Sequence, residues 1–354
     1  MIDLITLKQL GYTGTVNGLI GRISTQSKGI YKAITEEGTY LVSLKGTFKY
    51  DLVARIDIPA VGDFVSIQPF PSEKRGIITE LLPRHQAFIR QSAGTETKPQ
   101  VISANVDFAF LAMSCNDNFN INRMERYLIA AWDSGVNPII LLTKADLVND
   151  LDKEIMLAEL SDIAADVPIY FMNMHTHDHI EQLRNLLQPN KSATILGSSG
   201  IGKSTLINKL MGQEVMATQE IRQSDSKGKH TTTHRELLIL PTGGVIIDTP
   251  GMREFQLWST GENLGLSTEF EDIESLIASC RFNDCSHTTE PDCAVNQAFD
   301  DGSLSHDRYQ RYQKYQKELA FQERRGNEAL ERLEREKWKK NSAIGRQNRM
   351  KKGR

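Results

Sequence analysis

The octapeptide Gly197-Ser198-Ser199-Gly200-Ile201-Gly202-Lys203-Ser204 constrains this chain more than any other stretch. It follows the apolar run Ala193-Thr194-Ile195-Leu196 and opens into Thr205-Leu206-Ile207-Asn208-Lys209-Leu210. Strand, glycine-rich turn and helix, in that order, form the context a phosphate-binding loop requires. The glycines let successive N–H groups curl around phosphates, and the helix N-terminus adds partial positive charge. On this reading Gly197 to Thr205 line the phosphates, Lys203 reaches the β- and γ-phosphates, and the Ser204 hydroxyl holds Mg²⁺.

Two further segments give that loop a nucleotide to act on. The run Gly244-Val245-Ile246-Ile247 ends in Asp248-Thr249-Pro250-Gly251. A carboxylate at such a strand tip is placed to anchor Mg²⁺ through water, and the Gly251 N–H to contact a γ-phosphate. Between the two motifs lies Thr231-Thr232-Thr233, flanked by the polar, glycine-bearing run Ser224 to His230. Thr232 is the hydroxyl expected to cap Mg²⁺ when a γ-phosphate is present, and such a flank suits a switch. Thr143-Lys144-Ala145-Asp146 follows the strand pattern Pro138-Ile139-Ile140-Leu141-Leu142. Asp146 can accept from N1–H and the 2-amino group of guanine, and adenine offers neither donor. An unpaired carboxylate there costs on the order of a few kcal/mol, enough to choose the base. The Lys144 stem would cover the base. Asn is the commoner residue where Thr143 stands; a Thr hydroxyl can still tether the phosphate loop.

These motifs are met in an unusual order. The base-reading segment precedes the phosphate loop, and Asp248 to Gly251 come last. A circular permutation builds the same sheet, because termini and loop tips tolerate relocation. Whatever follows Gly251 then hangs directly on the segment that senses the γ-phosphate.

The flanking regions supply two more parts. The first hundred residues show short strand patterns divided by turn residues: 29–34, 39–44, 63–67 and 76–82. They predict a small barrel of OB type, a fold that commonly binds RNA, with a protein-docking module as the open alternative. Lys45, Lys49, Arg55, Arg84 and Arg90, with Tyr31, Tyr40, Phe48 and Tyr50, are candidates for a charged and stacking surface, several of the aromatics being expected in the core. The polar break Gly94 to Pro99 marks a boundary. From there strands alternate with helices (Phe108–Met113, Ile121–Trp132, Leu151–Ala165 and Pro168–Phe171), so a parallel sheet covered on both faces is expected. Cys280, Cys285, His287 and Cys293 have the spacing of a closed tetrahedral zinc site, one Zn²⁺ per chain, with no open position for catalytic water. Cys115 is expected to be a structural thiol. From residue 303 to the end the chain carries 16 Lys/Arg against 7 Asp/Glu, and Tyr309, Tyr312 and Tyr315 interleave with Arg311, Lys314 and Lys317. That bias favours a polyanionic partner, with Arg346 to Arg354 ordered only when bound. The expected division is an OB-type barrel over 1–98, a permuted α/β GTPase domain over 99–262, and a helical zinc-binding module with basic tail over 263–354.

Composition narrows the setting. Charged residues make up 25% and apolar ones 39%, ordinary for a globular chain of 354 residues, and the net charge of −3 conceals the basic end. The start Met1-Ile2-Asp3-Leu4 lacks the pattern of a signal peptide and no apolar run is long enough to span a bilayer, so a cytoplasmic protein without a membrane partner is expected.

Taken jointly, the permuted motifs, the barrel and the Cys-x₄-Cys-x-His-x₅-Cys module resemble the circularly permuted ribosome small subunit-dependent GTPase A family (RsgA, YjeQ, YloQ), over nearly the whole chain. The resemblance implies a monomeric cytoplasmic GTPase that binds GTP and GDP with Mg²⁺, contacts ribosomal RNA of the small (30S) subunit late in its maturation, and leaves after hydrolysis. It also implies that His230 orients the attacking water, with His234 or rRNA as further contributors, because Met252 replaces the usual water-positioning Gln. Gly200 stands where potassium-dependent relatives carry Asn, so no potassium requirement follows. Met172-Asn173-Met174 departs from the Ser-Ala pair expected at the guanine edge, leaving that contact to a backbone N–H. A nucleotide-switched RNA-binding protein in translation with negligible hydrolysis is the alternative; a messenger- or transfer-RNA factor and a P-loop ATPase are further rivals.

Overall fold

In the computed structural model, which describes residues 6–27, 29–45, 57–91, 99–116, 118–164, 166–176, 179–216, 235–249, 257–258 and 263–324, five strands close the expected barrel. They are β1 (Leu19–Ser27), β2 (Ile30–Thr35), β3 (Gly38–Leu44), β4 (Phe64–Pro69) and β5 (Arg75–Leu81). β1 pairs with both β2 and β4, β4 with β5, and β5 runs parallel to β3, so no barrel edge is left open. The alternation of β3 turns Tyr40 and Val42 inward, onto Ile23, Tyr31, Ala33, Val65, Ile67 and Ile78. Tyr31 and Tyr40 are therefore core residues, and neither offers a stacking face. Arg84 is likewise occupied: its guanidinium grips the buried Asp63 carboxylate through two bonds of 2.7 and 2.6 Å. Burial lowers the affinity of Arg90 for its proton, and its guanidinium donates to Gln100 at 3.3 Å.

β1 carries no clean strand pattern, because Gly21 and Arg22 interrupt its apolar run. A Cβ at Gly21 would lie 2.9 Å from the Ile67 side-chain end and 3.0 Å from the Ala33 Cβ, so any larger residue there would force the barrel interior to shift. Arg22, 1% exposed, reaches out of the barrel to the Leu10 carbonyl (2.6 Å), the Asn105 carbonyl (2.6 Å) and the Ser192 hydroxyl (3.3 Å). Burial lowers its pKa to about 10, against the pull of Asp107 and Asp63, so the guanidinium stays charged at neutral pH.

The polar stretch 92–98 separates two strands that pair with each other, β6 (Ala87–Gln91) and β7 (Pro99–Ala104). Next come β8 (Phe108–Ser114), α1 (Ile121–Asp133), β9 (Asn137–Thr143), α2 (Asp150–Ser161) and β10 (Ile169–Met172). They are followed by α3 (Ile180–Leu186), β11 (Ser192–Leu196), α4 (Lys203–Met211), β12 (Glu236–Ile239) and β13 (Val245–Asp248). The sheet order is β10-β9-β8-β11-β13-β12, parallel except for β12. β8, β9, β11 and β13 are buried almost end to end, as strands covered on both faces must be. Thr25 of β1 pairs with Glu236 of β12, which joins barrel and parallel sheet into eleven continuous strands.

Barrel and sheet belong to one compact unit, Met1–Arg90 with Gln100–Gln256; Gln91–Pro99 with Leu257–Arg354 form a second. The second contains α5 (Leu264–Glu269), α6 (Glu271–Ala278), α7 (Ala294–Asp300) and helical residues 306–324. Tyr312 and Tyr315, each 2% exposed, pack on Phe270, and the Tyr312 hydroxyl donates to Glu274 at 2.7 Å. These tyrosines build the module's core and do not face a nucleic acid. Among the described residues no helix is long and apolar enough to cross a membrane.

Candidate nucleotide site and metal centre

β11 delivers the chain to the phosphate loop at the centre of the sheet, where strands on both sides can contribute groups. Gly197 must be glycine: a Cβ there would meet the Ala112 carbonyl at 2.5 Å. Gly202, at φ 98, turns the loop into α4 and leaves the first N–H groups of that helix without side-chain caps. Ser199 and Gly200 are exposed, while Ser198, Ser204 and Thr205 are half-buried. Lys203 folds back over the loop and donates to the carbonyls of Gly197 and Ser198, each at 2.9 Å.

β13 ends beside this loop. Asp248 is 1% exposed, and its Oδ1 has no hydrogen-bond partner. An orphaned buried carboxylate oxygen beside a phosphate loop is a fitting donor set for hydrated Mg²⁺. Burial raises its pKa to about 6, opposed by Lys203, and burial lowers that of Lys203 to about 8, opposed by Asp248. Thr249 anchors the strand end by donating to the Ile195 carbonyl.

β9 brings the candidate base-reading segment, Thr143 to Asp146, to the same end of the sheet. The Thr143 hydroxyl donates to the Ile201 carbonyl at 2.6 Å and lies 3.3 Å from the Met113 carbonyl. The loop and the segment after β9 are thus tied directly. Lys144 takes the left-handed conformation (φ 58), which swings Ala145–Leu147 into a short 3-10 turn. The Asp146 side chain is 32% exposed, and His175 Nε2, beyond β10, stands 4.0 Å from its Oδ2. Asn173 accepts from the His175 N–H and so shapes that turn. Cys115 is buried, its thiol pushed up to about 11 by burial, and its N–H donates to the Thr143 carbonyl.

Asn118 also meets the loop. Its Nδ2 donates to the Ser198 hydroxyl at 2.8 Å, and its Oδ1 accepts from Arg123. No motif spacing marks it, since the contact spans two segments joined only by the sheet. Thr231, Thr232, Thr233, His230, His234, Gly251 and Met252 lie outside the described residues, as do Lys49, Arg55, Phe48, Tyr50 and the tail from 325 onward.

In the second unit Cys280, Cys285, His287 and Cys293 present ligand atoms all within 4.8 Å of one another. Cys280 Sγ lies 3.9 Å from Cys293 Sγ, and His287 Nδ1 lies 3.5 Å from each of those sulfurs. Tetrahedral zinc at its usual bond lengths requires edges of about 3.8 Å between sulfurs and about 3.6 Å between sulfur and nitrogen. The constellation fits zinc. His287 sits in the left-handed region at φ 57, and a neighbouring carboxylate fixes its loop. Glu290 accepts from the Ser286 N–H (2.9 Å) and hydroxyl, and from the N–H groups of Thr288 (3.0 Å) and Thr289 (3.1 Å). Those donors hold its carboxyl well below the usual carboxylate range.

A parallel sheet whose glycine-rich loop follows β11, with β8, β9 and β10 laid down before it, has the strand order of a circularly permuted P-loop GTPase. A sequence profile of the family described as RsgA GTPase matches residues 81–258. The small ribosomal subunit biogenesis GTPase RsgA 1 of Listeria innocua is 48% identical over 320 residues, covering 90% of this chain and 89% of the relative. RsgA 2 of Listeria monocytogenes is 45% identical over 343 residues, covering 95% of each. The solved structure of YloQ, described as a circularly permuted GTPase, matches with a TM-score of 0.59 at 25% identity, covering 87% of this chain and 98% of that one. The chain belongs to the RsgA GTPase family, and it is a GTP hydrolase.

Proposed function

We propose that this chain is a cytoplasmic, monomeric GTPase that binds the small ribosomal subunit late in its maturation, and that subunit contact stimulates hydrolysis and release. The observation that carries the nucleotide part is the Thr143–Ile201 hydrogen bond, because it ties the base-reading strand to the phosphate loop. The names of the relatives, small ribosomal subunit biogenesis GTPases, support the partner. The proposed division is a barrel over 1–98, a GTPase domain over 99–262 and a zinc module over 263–354.

In the nucleotide pocket Asp146 pairs with the guanine edge, Lys144 covers the base, and Thr143 holds the loop. The N–H groups of Gly197 to Thr205 cradle the phosphates. Lys203 exchanges its two carbonyl partners for phosphate oxygens, a swap that compensates for desolvating its charge. Ser204 and Asp248 hold Mg²⁺, with Thr232 completing the set in the GTP state. When bound, Mg²⁺ neutralises the charge that builds between the β- and γ-phosphates. Gly251 senses the γ-phosphate, and His230 orients the attacking water. Loss of the γ-phosphate frees Thr232 and Gly251 together, the usual basis of a GTPase switch. Cys280, Cys285, His287 and Cys293 hold one Zn²⁺, which closes a helical module too small to rely on its own core.

Single-turnover phosphate release, measured with and without purified small subunits, tests this function. Subunits should raise the rate in the parent and raise it much less in His230→Ala, with GTP affinity nearly unchanged. Equal stimulation in both would remove His230; no stimulation in the parent would favour a nucleotide-switched binder.

A further inference from the structure

We infer that the outward face of α2 docks onto a basic protein of the small ribosomal subunit rather than onto its RNA, an inference that rests on the partner proposed above. A surface helix normally turns its apolar residues inward. In α2 only Leu160 is buried. Leu151 is 64% exposed, Ile155 50% and Leu157 41%, and Leu147, in the turn that carries Asp146, is 61% exposed. Leu151 and Ile155 stand one turn apart on a single face, continued by Ala158. Scattered exposed leucines need no explanation, but an apolar row bordered by charge marks a protein contact.

The border decides what can sit there. Asp150, Asp152, Glu154, Glu159 and Asp162 surround the row, with Lys153 as the lone base on α2, tied to Asp150 at 2.9 Å. Phosphates of RNA would meet like charge and find no use for the apolar row. A second copy would set carboxylate against carboxylate. A segment rich in Lys and Arg, with apolar residues between them, satisfies both features. Proteins that neutralise rRNA phosphates have such a composition.

The test uses the full chain with a non-hydrolysable GTP analogue and purified small subunits. A photo-crosslinking benzoylphenylalanine replaces Ile155. Co-sedimentation is read first, then the crosslinked product is divided by nuclease sensitivity and mass spectrometry. The expected product is a nuclease-resistant adduct to a subunit protein. Leu151→Glu with Ile155→Glu should weaken subunit binding about tenfold or more. GTP-analogue affinity of that variant should stay at the parental value, which also shows that it folds. An rRNA adduct would overturn the inference, as would normal subunit affinity of the double variant. If the parent itself fails to co-sediment, the proposed function falls and this inference falls with it.

Discussion

Replacing Thr143 by Val removes one hydroxyl and almost no volume, at a side chain 1% exposed. The Ile201 carbonyl would lose the donor it holds at 2.6 Å, in a loop residue that is itself buried. An unsatisfied buried carbonyl costs about 1–3 kcal/mol. Without nucleotide the loop can relax to reach water, and on binding it must return to the closed shape. The cost therefore falls mainly on affinity, and about 1.4 kcal/mol is tenfold. Thr143→Val should weaken fluorescent GDP and GTP-analogue binding between about 5-fold and 150-fold, with a small loss in melting temperature. Thr143→Ser keeps the hydroxyl and should restore most of the affinity. Equal dissociation constants for Val and parent would refute the tether, as would a Ser variant no better than Val.

Three other outcomes follow from the same geometry. Nucleotide affinity should be greatest between about pH 6 and pH 8: below it Asp248 holds a proton that Mg²⁺ must expel, and above it Lys203 must regain one. Calorimetry in two buffers should show proton release on the acid side and uptake on the alkaline side; the opposite signs would contradict the assignment. For folding, the raised Asp248 pKa contributes stability below about pH 4 that is lost as pH rises through about 6, so a nucleotide-free melt should reveal a small decline there. Chelator competition should count one zinc per chain, and Glu290→Gln should weaken it about 10-fold to 100-fold through a looser 286–290 loop; unchanged zinc affinity would make the Glu290 bonds incidental.

The parts legible in the sequence are those where chemistry dictates residue type at fixed spacing. The phosphate loop, the Asp248 strand and the Cys-His cluster each needed only local order to be read, and the permutation followed from their sequence positions. What escaped depends on contacts across the chain. Arg22 looks like a surface charge inside a weak strand until the Leu10 and Asn105 carbonyls and the Ser192 hydroxyl converge on it. Arg84 looks like a candidate surface charge because nothing local shows that Asp63 is buried beneath it. Tyr312 and Tyr315 share their periodicity with basic residues, and helical period alone cannot say which stripe faces Phe270. Asn118 and Glu290 act by orienting neighbours, a role no residue type announces.

Nucleotide selectivity of Asp146→Asn probes most directly the claim that shuffled segments meet in one guanine pocket. Asparagine presents an amide donor where guanine offers N–H donors, and xanthine offers a carbonyl there instead. Competition of GTP and xanthosine triphosphate for the variant should therefore favour the xanthine nucleotide, while the parent favours GTP. A variant that keeps the parental preference for GTP would place base recognition elsewhere and contradict the account.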